Sequence, residues 1–136
     1  MLVTLKVRPD VPRLRTGRFV RSFRRSLCQC CIRQGFRVVH YSIQSDHLHL
    51  IIEANDQKSL ANGMKSLGAR FARCVNRIFD RSGPVLKERF HHAVKLSPQE
   101  VRRALAYVLL NSLKHFLRRT GKNPPVILDE ASSGRW

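Results

Sequence analysis

Apolar and polar positions alternate one by one in "LVTLKV", residues 2–7, the period of a strand covered on one face. The period then lengthens. In "RLRTGRFVRSFRRSLCQCCIRQG" Val20, Phe23, Leu27, Cys30 and Cys31 recur at helical spacing, which predicts a helix ended by Gly35. Its other face is almost all arginine. "FRVVHYSIQ" and "HLHLIIEA" are β-branched and aromatic runs joined by "SD", the signature of a hairpin. Beyond Asn55 and Asp56, either of which can cap a helix, Leu60, Met64, Leu67, Phe71, Cys74 or Val75, and Ile78 recur every three or four residues until "DRSGP" stops the run. "VLKERFHHAVKL" reads as a further strand with Leu86, Phe90, Val94 and Leu96 on one side. A last helix opens at "SPQE", with Ser97 as cap, Pro98 at the first helical position and Glu100 completing a capping box, and runs to about Arg118.

The order strand, helix, strand, strand, helix, strand predicts an α+β chain of ferredoxin-like βαββαβ arrangement. Its antiparallel sheet carries two helices on one face, and the terminal helix is an addition. Residues 1–120 form one expected domain, and "GKNPPVILDEASSGRW", residues 121–136, an extended tail. That fold hosts RNA binders, metal-handling domains and nucleases, so function has to come from particular side chains.

Composition narrows the partner. The 136 residues hold 26 Lys and Arg against 9 Asp and Glu, a net charge of +17, which points to a polyanion, with nucleic acid and anionic lipid both eligible on charge alone. No apolar run reaches the roughly 18 to 20 residues of a membrane span, and the first residues lack the apolar segment of a signal peptide. A cytoplasmic, membrane-independent protein is therefore expected. Cys28, Cys30, Cys31 and Cys74 do not show the paired spacing of a structural zinc site and read as reduced, half-buried helix residues.

Two constellations carry possible chemistry. In "SDHLHLIIEA", His47 and His49 stand two apart on a strand, so they project from one face while Leu48, Leu50 and Ile52 face the other way. This suits two ligands of one metal ion, and Asp46 stands where it can orient an imidazole or form the turn. A solvent-facing pair of histidines is the plain alternative. In "VRRALAYVLLNSLKHF" the residues Val101, Leu105, Val108, Leu109, Ser112 and Phe116 make one apolar stripe, and Tyr107 and Asn111 sit together away from its centre, one turn apart. A hydroxyl nucleophile and a metal-binding amide can share a site at that spacing. An amphipathic helix with an exposed Tyr and Asn is the plain alternative here.

"SDHLHLIIEA", "RSGPVLKERFHHAV" and "VRRALAYVLLNSLKH", in this order, resemble the single-tyrosine HUH transposases, in particular the REP-associated tyrosine transposases and their stand-alone bacterial relatives. The resemblance covers residues 2 to about 118. It implies that His47 and His49 are the metal-binding HUH pair, that Tyr107 is the nucleophile and that Asn111 is the third ligand. His91, in the paired "HH", is carried as a neighbour of the site without a role. Many relatives have proline after that asparagine, where this chain has Ser112.

The implied activity is nicking and rejoining of hairpin-bearing single-stranded DNA through a 5′-phosphotyrosine, with Mg²⁺ or Mn²⁺ as cofactor. A free phenol, of pKa about 10, is ionised to only about one part in a thousand at neutral pH, so a cation that polarises the phosphate offsets part of the barrier. Arg18, Arg21, Arg24 and Arg25 on the first helix and Arg70, Arg73 and Arg77 on the second are positioned to hold the DNA backbone or to form a solvated face. The resemblance is compatible with a single chain and with a homodimer that exchanges the tyrosine helix, and it places the protein with the bacterial nucleoid. The competing reading is a domesticated, non-catalytic nucleic-acid-binding protein of the same fold.

Overall fold

The computed structural model describes residues 1–28, 32–33, 35–88, 91–93, 97–122 and 129–133, except for the side chains at positions 28, 32, 33, 91–93 and 112. Its elements are β1 (Leu2–Lys6), α1 (Gly17–Cys28), β2 (Ile32–Arg33), β3 (Phe36–Ile43), β4 (His47–Ala54), α2 (Gln57–Ile78), β5 (His91–Ala93) and α3 (Pro98–Thr120). The sheet order is β2-β3-β4-β1-β5, with every neighbouring pair antiparallel. Apart from the short β2, this is the expected βαββαβ arrangement.

Strand alternation sorts the two sheet faces. Val3 and Leu5 of β1, Tyr41 and Ile43 of β3, and Leu48, Leu50 and Ile52 of β4 join one buried core with Phe19, Phe23 and Leu27 of α1 and Leu60, Met64, Leu67, Phe71 and Val75 of α2. Phe71 meets Phe23 edge to face at 5.3 Å between ring centroids, and Phe19 stacks on Phe23 at 5.6 Å. These rings join α1 to α2 and leave the opposite sheet face to α3. At Gly63 the second helix comes so close to the sheet that a Cβ would stand 2.1 Å from the Phe36 ring.

The helix ends follow from local chemistry. Asp56 caps α2 by accepting a hydrogen bond from the Ser59 amide at 2.6 Å. Ser97 and Glu100 form the full capping box on α3 with Pro98 in its first turn. The first helix is shorter than its spacing predicts. It ends at Cys28, and Ile32–Arg33 pairs with Phe36–Arg37 instead. Gly35, at φ +79°, sits in the turn of that small hairpin and not at a helix end, so a glycine that permits either outcome is used for the strand. Cys30 and Cys31 lie outside the described residues. Cys74 is a buried free thiol on α2.

Leu86 does not lie in the fourth predicted strand but makes an isolated bridge with Val7, and Val85 beside it is buried. The strand itself is His91–Ala93, and Phe90, Val94 and Leu96 fall outside the described residues. The tail returns to the body: Ile43 N–H donates to the Ala131 carbonyl and Ser133 N–H to that of Tyr41, so residues 131–133 run along β3. Arg15 forms a two-pronged ion pair with Asp129, at 2.8 and 3.0 Å, and also donates to the Ile43 carbonyl. Among the described residues no helix is long and apolar enough to cross a membrane.

Candidate active site

The two histidines of β4 leave the core side of the sheet and face α3. His49 is almost fully buried and His47 partly so. Their Nε2 atoms lie 3.0 Å apart, and each outer nitrogen is engaged: His47 Nδ1 with Asp46 Oδ1 at 2.6 Å, His49 Nδ1 with Thr4 Oγ1 at 3.0 Å. Thr4 reaches His49 because the two are direct partners in the β1/β4 register. The backbone of His91 pairs with Thr4 from the other side, and its side chain lies outside the described residues.

Burial pushes the His49 imidazole down from 6.5 to about 4, with the His47 ring adding to the shift, Asp46 opposing it and His115 lowering it further. A neutral ring is the form that binds a metal. The hydrogen bond to His47 holds the Asp46 carboxyl below the ordinary carboxylate range.

The third helix is rotated relative to its predicted stripe. Among its described side chains Ala104, Val108 and Asn111 are the buried ones, whereas Val101 is exposed. Asn111 is thus in the middle of the buried face and not away from it.

Three successive turns of α3 follow the histidine pair. The Tyr107 ring, itself 44% exposed, meets the His49 ring edge-on at 4.9 Å between centroids. His115, two turns on, lines a recess of about 580 Å³ with His47 and Asp46 and acts electrostatically on His49. Asn111 is midway between Tyr107 and His115 along the helix and is buried. The residues present fit a divalent cation. Two ligands at right angles on an octahedral ion with bonds of about 2.1 Å stand about 3.0 Å apart, the spacing that the two Nε2 atoms have. Among the described residues no three His, Cys, Asp or Glu side chains cluster to hold a metal.

This brings together His47, His49 and Tyr107, with Asp46 on His47, while Asn111 is buried one turn beyond Tyr107 on α3. Thr4, Arg15, Gln44 and His115 were not singled out by the sequence. His115 was legible, since it continues the Tyr107, Asn111 spacing by one more turn; Thr4 was not, because its part depends on strand register.

The model of IS200-like transposases matches residues 4–107, which is 104 of the 136 residues and runs from Thr4 to Tyr107. The chain belongs to the IS200-like transposase family. A solved structure of a REP-associated tyrosine transposase bound to a REP hairpin is similar to this IS200-like chain with a TM-score of 0.61 and 16% identity. The likeness covers 84% of this chain and 66% of that one, and at such identity it speaks for the fold. No curated protein matches the sequence.

The arginines of the chain divide into groups. Arg25, Arg70, Arg73 and Arg77 line one cleft with Ser22, Ser26 and Cys74. Arg21 and Arg24 border a second recess beside Asp129 and Glu130 of the tail. Arg18 is exposed and lines neither. On the α3 side, Arg15, Arg118 and Arg119 surround the recess next to His47.

Proposed function

We propose that this chain is a divalent-metal-dependent endonuclease and strand transferase acting on single-stranded DNA, with Tyr107 as nucleophile. The observation that carries the reading is the placement of the Tyr107 ring against His49, whose Nε2 converges with that of His47. Family membership supports DNA transesterification as the reaction class. A hairpin-bearing substrate is supported by the solved relative, whose structure contains a REP hairpin.

In this reading His47, His49 and Asn111 hold Mg²⁺ or Mn²⁺. When bound, the cation polarises the scissile phosphate and stabilises charge on its non-bridging oxygens. Thr4 and Asp46 fix the two rings through their outer nitrogens. Arg118 and Arg119, beside the recess next to His47, grip the phosphates next to the break. The Tyr107 oxygen gives up its proton and attacks phosphorus. As the new oxygen–phosphorus bond forms, the bond to the 3′ oxygen breaks, leaving a 5′-phosphotyrosine and, after protonation, a free 3′-hydroxyl. Attack by another 3′-hydroxyl reverses the step, returning the tyrosine and joining two strands. No nucleotide cofactor is needed, because the covalent link conserves the phosphodiester.

The test is incubation of the protein with labelled hairpin-bearing single-stranded DNA and Mn²⁺, followed by denaturing electrophoresis. A covalent protein–DNA species is expected with the wild type, none with Tyr107→Phe, and none after chelation. Nicking that persists in a folded Tyr107→Phe variant overturns the assignment. DNA binding without any adduct, indifferent to chelator, points to the non-catalytic alternative.

A further inference from the structure

Strand cleavage by Tyr107 expels a 3′ oxygen that has to gain a proton, and the Tyr107 proton departs on the other side of phosphorus. An alcohol is about as weak an acid as water, whose pKa is roughly 15.7. Such a leaving group needs a proton donor beside it.

In an in-line displacement the entering and leaving oxygens stand on opposite sides of phosphorus. Tyr107 lies against His49, and His115 shares the recess beside His47. The tyrosine and His115 are separated by about 12 Å along the axis of α3, a span that two side chains with a phosphate between them fill. A phosphate held at the histidine pair and attacked from the Tyr107 end therefore expels its 3′ oxygen toward the recess.

The side chains lining that recess differ in what they can give. Arg15 is held by Asp129, and Arg118 and Arg119, like any guanidinium, keep their protons inside a protein. The hydrogen bond from His47 keeps the Asp46 carboxyl ionised, so it has no proton to donate. His47 is engaged at both ring nitrogens, and neither Gln44 nor Ser45 titrates near neutral pH. His115 makes no hydrogen bond, ion pair or ring contact among the described residues, while its charge is felt at His49. It is exposed to solvent, so a proton given up is replaced from water. Imidazole is the side chain suited to give and take a proton in this pH range.

We propose that His115 is a further catalytic residue of this chain, the general acid that protonates the departing 3′ oxygen. The assignment rests on the proposed function, since it takes Tyr107 as the nucleophile. As the Tyr107 oxygen bonds to phosphorus and the bond to the 3′ oxygen breaks, the imidazolium N–H passes its proton to that oxygen. This leaves a neutral imidazole and a 3′-hydroxyl, and the phenol proton goes to solvent. In the joining direction the neutral imidazole takes the proton of the attacking 3′-hydroxyl.

The test follows single-turnover adduct formation in Mn²⁺ on two hairpin-bearing single strands. One is ordinary DNA, and the other has sulfur in place of the leaving 3′ oxygen at the cleavage position mapped with the wild type. A thiol has a pKa of about 8.5, so its anion leaves without a donor. On ordinary DNA His115→Gln is expected to be slower than the wild type by about 10²- to 10⁴-fold, with rejoining slowed in proportion. On the sulfur DNA the variant is expected to match the wild type. Its Mn²⁺ affinity, followed by electron paramagnetic resonance, and its melting temperature are expected to stay at the wild-type values. Arg119→Gln, which loosens the hold on phosphate, is expected to lose rate on both DNAs alike. An equal loss by His115→Gln on both DNAs, a loss on neither, or rescue of Arg119→Gln by sulfur as well overturns the role of His115. Absence of any adduct from the wild type on ordinary DNA overturns the proposed function itself, so the two failures are distinguishable.

Discussion

Thr4 Oγ1 and His49 Nδ1 are 3.0 Å apart across the β1/β4 pair, and this contact does for His49 what Asp46 does for His47. Each ring is fixed from behind, and both Nε2 atoms are left to converge. Partners of this kind commonly set metal affinity within a factor of about 10 to 100. Thr4→Val, which keeps shape and removes the hydroxyl, is expected to weaken Mn²⁺ binding by about 10-fold or more, and Thr4→Ser to restore most of it. Titration followed by electron paramagnetic resonance checks this; equal affinity in the valine variant would mean that packing alone orients the ring.

Asn111 gives a second, different prediction. Its side chain is buried on α3, one turn beyond Tyr107, where an apolar residue of similar shape is tolerated at little cost. Asn111→Leu is expected to melt at or above the wild-type temperature without metal. Saturating Mn²⁺ at about 100 times its dissociation constant stabilises a binding-competent protein by about 2.7 kcal/mol, and the leucine variant is expected to lose most of that increment. Thermal melts with and without Mn²⁺ read both effects at once.

Acid sensitivity follows from His49. Its folded value of about 4 lies below the ordinary 6.5, so between these limits the unfolded chain binds the extra proton and the folded one does not. Stability from this group is complete above about pH 6.5 and is lost as pH falls toward 4, at up to about 1.4 kcal/mol per pH unit and about 3 kcal/mol in all. Metal-free urea unfolding across that range is expected to show the slope, and His49→Gln to flatten it. A wild-type curve no steeper than that of the glutamine variant would count against a buried neutral ring.

Gly63 permits the close approach of α2 to β3. A methyl group there meets the Phe36 ring at 2.1 Å, so Gly63→Ala is expected to cost about 1 to 3 kcal/mol despite the better helix propensity of alanine. Combining it with Phe36→Leu is expected to return part of the loss. Urea midpoints of the two variants decide the matter.

The α+β order, the caps at Asp56 and Ser97, and the projection of His47 and His49 from one side of a strand were all legible in the sequence, because each depends on neighbours within a few positions. The end of α1 was not. Gly35 is equally good as a helix stop and as a hairpin turn, and the choice depended on a pairing with Phe36–Arg37. The rotation of α3 was also hidden. Counting apolar residues puts leucine and valine inward, but Asn111 is buried while Val101 is exposed, and the α3 ring that meets His49 is that of Tyr107. Thr4 needed the strand register, which no local pattern encodes.

The return of residues 131–133 along β3 limits how copies of this molecule can meet. With the Ile43 amide and the Tyr41 carbonyl already answered by Ala131 and Ser133, that border has no open row of donors and acceptors to template a foreign strand. Growth of the sheet from one molecule into the next is blocked along this stretch, a built-in guard against fibrous self-association.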